Sequence, residues 1–148
     1  MIAKLLLHKG ADVNAKSKDG DTALMAASRW SVSEMVALLL ENGAELNPKD
    51  KDGRTALMMA GKDGNPDVVK LLLDRGSDVN ARDKESRTAL LMAAGMSGDT
   101  RVLKQLLDTG ADGNATDKAG TTPSWECWSC SDRHRFPPRR NHGLVGRV

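Results

Sequence analysis

Near its C-terminal end the chain carries Cys127-Trp128-Ser129-Cys130, with His134 four residues on and His142 beyond. Thiolates and imidazoles can build a tetrahedral zinc site, and two residues between cysteines is a legitimate ligand spacing. The second half of such a site, a spaced Cys or His pair, is missing, so chance clustering outweighs zinc, and no βαβ context supports a redox motif. Arg133, Arg135, Arg139 and Arg140 surround Phe136, a pattern that could grip phosphates and stack a base. Pro137-Pro138 argues instead for a solvated tail, and nucleic acid is not the expected partner. Asp12, Asp78 and Asp112 recur along the chain, as do Asn14, Asn47, Asn80 and Asn114. These fit turn residues, whose short side chains bond nearby backbone, better than metal ligands. His8 is the only histidine before the tail. No general base, no Ser/His/Asp or Cys/His arrangement and no Gly-rich phosphate loop can be assembled. Neither catalysis nor a cofactor is expected.

The recurring Asp and Asn belong to a longer pattern. Gly10-Ala11-Asp12-Val13-Asn14 returns at Gly43, Gly76 and Gly110, at spacings of 33, 33 and 34 residues. Thr22-Ala23-Leu24-Met25 keeps the same beat at Thr55 and Thr88, and in damaged form at Thr122-Pro123-Ser124-Trp125. A fixed period of this length means stacked units that bury their apolar faces on one another.

Residues 50–82 serve as the template. Asp50-Lys51-Asp52-Gly53-Arg54 reads as a tight turn. Thr55 caps a short helix from Ala56 to Gly61, and Lys62 to Asn65 form a turn. Pro66 opens a second helix, apolar over most of its circumference, and Gly76 closes it as a left-handed cap. The second helix of the first full unit spans Glu34 to Glu41. Its inter-helix turn, Arg29-Trp30-Ser31-Val32, has no glycine, and in the third unit Ser86 replaces the turn glycine. One extra residue near Gly95-Met96-Ser97-Gly98 belongs in the loop between helices.

The pattern resembles the ankyrin repeat. The resemblance is carried by the Asp-x-x-Gly turns (Asp50, Gly53; Asp117, Gly120), the Thr-Ala-Leu helix start, the Leu-Leu pair before the capping Gly and the Gly-Ala-Asp-Val-Asn linker. It implies an all-α solenoid of helix-turn-helix units joined by short β-hairpin-like loops. The array covers residues 1–123: a partial repeat at 1–16, full repeats at 17–49, 50–82 and 83–116, and the start of a fourth at 117–123. The family's Thr-Pro-Leu-His box is here Thr-Ala-Leu-Met or Thr-Ala-Leu-Leu, so its histidine bridge is missing and looser turns are expected.

Composition agrees with thin helical layers. There is no Tyr and one Phe among 148 residues, and the methionines read mainly as core filler. Met58 and Met96 are also candidates for a binding groove. Net charge is +2; residues 125–148 hold five Arg against Glu126 and Asp132, so the array is slightly acidic and the basic balance belongs to the tail. No signal peptide or membrane span is expected, and a cytoplasmic location is favoured. After Pro123 the register is lost. Trp has the single codon TGG, so Ser124-Trp125 can be read as TCATGG, one base removed from Leu-Met. Residues 124–148 are therefore expected to be an out-of-frame or disordered basic tail.

The resemblance implies a protein-binding scaffold that meets its partner on the concave face, through hairpin tips and first helices. The positions that map there are Lys18, Asp19, Asp21 and Arg29; Lys51, Asp52, Arg54 and Lys62; and Lys84, Glu85 and Arg87. Trp30 stands at the rim. Their mixed charge fits another protein of mixed sign, with no membrane partner. The alternatives are zinc or nucleic-acid binding through the tail, or a fragment of a longer array without function. Half repeats at both ends predict fraying, marginal stability and self-association through uncapped ends.

Overall fold

The computed structural model describes residues 8–123. Six α-helices follow in order: α1 (Ala23–Arg29), α2 (Ser33–Glu41), α3 (Ala56–Asp63), α4 (Pro66–Asp74), α5 (Ala89–Met92) and α6 (Thr100–Asp108). They form two layers. α1, α3 and α5 pack side by side, α2, α4 and α6 form a second row, and each unit's two helices pack together. No strand is present among the described residues; an isolated bridge between Lys16 and Thr22 is the one trace of β structure. The architecture is the all-α solenoid that the resemblance implies.

Each first helix starts for the same reason. The hydroxyl oxygens of Thr22, Thr55 and Thr88 accept the N–H groups of Met25, Met58 and Leu91 at 3.3, 3.4 and 3.3 Å, filling donors the helix leaves orphaned. Each second helix stops for the same reason too. Gly76 has φ 88°, and the Ser77 and Gly76 N–H groups donate to the Leu72 and Leu73 carbonyls at 3.1 and 3.0 Å. That is a Schellman cap, open chiefly to glycine. Asn65 caps α4 by accepting from the N–H groups of Asp67 and Val68. Its counterpart in the first repeat is Val32, which offers no side-chain cap, and the preceding Ser31 has φ 57°.

The core lies between the layers. Leu24, Leu57 and Leu90 repeat in the first row, each about fully buried, with Ala56, Ala60, Ala89 and Ala93 letting helices approach closely. Gly61 shows how closely: a Cβ there would lie 3.0 Å from the Ala89 carbonyl oxygen. Val36, Val68, Leu72, Val102 and Leu106 cover this row from the second layer. Met25, Met58, Met59 and Met92 are buried as filler. Met58 is therefore no part of a binding groove, whereas Met96 is 64% exposed.

Three local expectations need correction. α3 runs through Asp63, so Lys62 and Asp63 are helical and Gly64 makes the turn. α2 begins at Ser33, one residue early. The extra residue of the third repeat does not lengthen a loop. It widens the end of α5 into a π-helical turn, Ala93–Ser97, in which the Gly98 N–H reaches the Ala93 carbonyl five residues back at 2.9 Å. Widening one turn absorbs a residue without unwinding the helix.

The repeats are joined by polar ladders as well as by apolar packing. Backbone N–H groups of Lys51, Lys84 and Lys118 donate to the carbonyls of Asp19, Asp52 and Glu85 at 2.9, 2.8 and 2.9 Å. The side-chain oxygens of Asn14, Asn47 and Asn80 accept the N–H groups of Glu45, Asp78 and Asp112 at 2.8, 2.9 and 2.9 Å. Asn14 and Asn80 also donate to the carbonyls of Gly43 and Gly110. The asparagines thus bond the next repeat, not the nearby backbone expected of them. The aspartates do stay local: Asp12, Asp78 and Asp112 accept the N–H two residues on. Lys49 and Arg82 add side-chain bonds to the carbonyls of Arg82 and Thr116. The box position that lacks histidine holds buried Met25, Met58 and Leu91, and the hairpins are tied by these ladders in its place.

Two stability measurements follow. Asn80→Ala removes both halves of one clasp and should lower unfolding stability by about 1 kcal/mol, read from urea melts. Ser28 is fully buried with no partner for its hydroxyl among the described residues. Its counterparts are Gly61 and Ala94, so Ser28→Ala should raise stability by about 1 kcal/mol.

Candidate partner-binding face

Hairpin tips and first helices form one continuous side of the array. Each tip is a four-residue turn whose shape is set by its first residue. In the second hairpin one Asp50 oxygen accepts the N–H groups of Asp52 and Arg54 at 2.9 and 2.8 Å, and the other accepts Arg54 Nε at 2.7 Å. Asp83 repeats this with Glu85, Arg87 and Arg87 Nε at 2.9, 2.8 and 2.9 Å. Asp117 accepts from Ala119 and Thr121, and Ser17 stands in with weaker bonds from Asp19 and Asp21 at 3.2 Å. The bonds from Thr121, first among its causes, hold the Asp117 carboxyl below its usual range.

Successive hairpins touch backbone to backbone. A Cβ on Gly53 would lie 3.1 Å from the Lys84 nitrogen, and one on Gly20 would lie 3.2 Å from the backbone of Asp50 and Lys51. Glycine suits that approach and also the φ near 80° of both positions. Ser86 takes a φ of 62° at the corresponding place in the third hairpin.

The residues assigned to the face divide into two sets. One set is engaged within the array. Arg54 spans Asp50 and Asp52 with contacts of 2.7 Å each, and Arg87 meets Asp83 at 2.8 Å. Burial works against the charge of Arg54, but the hydrogen bond and charge of Asp50, helped by Asp52 and Asp21, outweigh it and raise its pKa. Arg29 lies 3.5 Å from Asp21 and its Nη2 approaches Met59 Sδ at 3.7 Å. That ion pair is long: one Asp21 carboxylate oxygen is enclosed without a hydrogen bond among the described residues. Lys51 reaches Asp19 at 2.9 Å, and its hydrogen bond and charge lower the Asp19 pKa. Both partners are exposed there, so the pair contributes little to stability.

The second set is exposed with no ion pair among the described residues: Lys18, Lys62, Lys84 and Glu85. Lys18, Lys84 and Glu85 are at the tips, and Lys62 is in the last turn of α3. Trp30 follows α1 as its C-terminal cap and is 77% exposed. Val32 beside it is 46% exposed. The structure brings the tips into one row and places Trp30 at the far end of the first helix, away from them.

Asp50 and Asp83, absent from the positions expected on this face, set its shape. Their place as the first residue of each hairpin turn, Asp-x-x-Gly at Asp50 and Asp-x-x-Ser at Asp83, is the available signal. Cys127, Cys130, His134 and His142, and the arginines around Phe136, lie outside the described residues. Among those described, no cluster of three or more His, Cys, Asp or Glu could hold a metal ion, and no helix is long and apolar enough to cross a membrane.

The sequence model of one family, Ankyrin repeats (3 copies), matches residues 1–83 and 49–117. No curated protein matches the chain. The match spans most of the sequence and coincides with the two-layered stack, the threonine caps and the tied hairpins, and by these the chain belongs to the ankyrin repeat family.

Proposed function

We propose that this chain, a member of a family whose repeats are generally protein-interaction modules and non-enzymatic scaffolds, binds a protein partner along the row of hairpin tips and first helices, through Lys18, Lys84 and Glu85 at the tips, Lys62 on α3 and Trp30 at the edge. The observation that supports this reading is the division of the charged residues. Asp21, Arg29, Arg54 and Arg87 are engaged with other groups of the array and shape the surface, whereas Lys18, Lys62, Lys84 and Glu85 are exposed without ion pairs among the described residues. Asp19, Lys51 and Asp52 occupy the same row and present their paired charges outward. Such a surface suits a partner of mixed charge, with Trp30 as an apolar anchor of the type that dominates interface energetics.

The test is a binding titration with a partner recovered on the full chain. Trp30→Ala and the paired reversal Lys84→Glu with Glu85→Lys should each weaken binding about tenfold or more. Lys70→Glu and Lys104→Glu, exposed on the second helices, should leave it unchanged. Removal of residues 124–148 should also leave it unchanged. Binding that disappears with 124–148 while the Trp30 and tip variants bind normally would transfer the function to the tail.

A further inference from the structure

Among the described residues the ladders that join the repeats have two open ends, and the ends match. Each tip lysine donates its backbone N–H to the preceding hairpin: Lys51 to Asp19, Lys84 to Asp52, Lys118 to Glu85. One further step in each direction leaves the Lys18 N–H as a donor and the Ala119 carbonyl as an acceptor, neither partnered among the described residues. The asparagine clasps behave alike. Continuing Asn14–Glu45, Asn47–Asp78 and Asn80–Asp112 leaves the Asn114 side-chain amide at one end. At the other end it leaves the Asp12 N–H and the Gly10 carbonyl, again without partners among the described residues.

Exposure agrees with this. Thr55 and Thr88, which follow the second and third hairpins, are buried. In the fourth hairpin Gly120, Thr121 and Thr122 are all exposed. Gly53 meets the next hairpin closely, but Gly120 meets no described atom within 4 Å. On the opposite side Ser17 is exposed where Asp50 and Asp83 are buried.

We infer that these surfaces take a second copy of this chain, head to tail, with the hairpin at 17–22 of one copy continuing the ladder on the hairpin at 117–122 of another. A second copy is the fitting occupant because the same step that stacks one repeat on the next generates both surfaces. The donors left over at one end are the partners of the acceptors left over at the other. A row of unpaired N–H and C=O groups is a template for another chain. Such a contact is heterologous, so it does not close on itself and assembly grows with concentration. Ala119 replaces the acid of Asp19, Asp52 and Glu85, and Thr116 stands where Lys49 and Arg82 donate across. The joint therefore rests on backbone and amide bonds, is weaker than the interior ones, and depends little on salt. The inference stands on the ladder geometry alone and is independent of the partner-binding face.

The experiment is sedimentation velocity of the full chain from micromolar to millimolar concentration, under reducing conditions that prevent disulfides through Cys127 and Cys130. Lys18 is the second residue of the turn that the Gly20 N–H closes on the Ser17 carbonyl, a position that suits proline. Lys18→Pro thus removes the one donor while keeping the turn. Asn114→Ala removes the clasp at the other end. Wild type should associate with rising concentration, and each variant should do so about tenfold more weakly with an unchanged thermal melt. A mixture of the two variants should restore association, but only to pairs, because each variant retains one intact end. A chain that stays monomeric throughout, association that neither variant weakens, or a mixture that behaves as its separate components would overturn the inference.

Discussion

The hydrogen bond from one tip lysine N–H to the carbonyl of the hairpin before it is the contact on which the rest of the array depends. It sets the distance between hairpins, and Asp50 and Asp83 hold each tip in the shape that makes the bond possible. With the hairpins in step, the threonine caps fall in a line and the first helices meet through alanine and glycine. The leucines of both layers then close over one another. Thin layers of this kind leave little room for aromatics, which accounts for the composition. Burial of Leu, Val and Met supplies most of the favourable free energy. The polar ladders choose the register in which that burial occurs.

Much of this was legible in the residues. Thr22, Thr55 and Thr88 were readable as caps because a hydroxyl before an apolar run has one efficient use. Gly76 was readable as a left-handed cap for the same kind of reason. Asn14, Asn47 and Asn80 are legible only in part. An asparagine in a polar linker carries a local turn signal, and nothing in its own neighbourhood shows that its amide reaches the next repeat, about 30 residues away. The extra residue in the third repeat reads from sequence as a loop residue because loops ordinarily absorb insertions. Here Ala93 to Ser97 could widen by one residue while Ser97 Oγ lay within hydrogen-bond distance of the carbonyls of both Gly61 and Ala93.

The proposed binding face is a row of positions taken from the repeat pattern, and the structure separates the roles of its residues in a way the sequence does not. Sequence position alone gives Arg54 and Lys51 equal standing, since both are basic residues of the same hairpin. Burial of Asp50 separates them: a carboxylate withdrawn from water holds the guanidinium of Arg54, which is drawn inward, while Lys51 remains outside and pairs with exposed Asp19. Trp30, Ser31 and Val32 are three consecutive departures from local preference: an exposed indole, a non-glycine left-handed residue and an uncapped helix start. Departures of that kind concentrate where a surface serves something other than folding. Their grouping at one turn supports Trp30 as an anchor.

Amide hydrogen exchange followed residue by residue tests the central role of the ladder most directly. The Lys51 and Lys84 N–H groups lie on exposed residues, so their protection can come only from the bonds to the preceding hairpin. They should exchange far more slowly than the Lys18 N–H in dilute solution. Equal and rapid exchange at all three would contradict a register held by the hairpins.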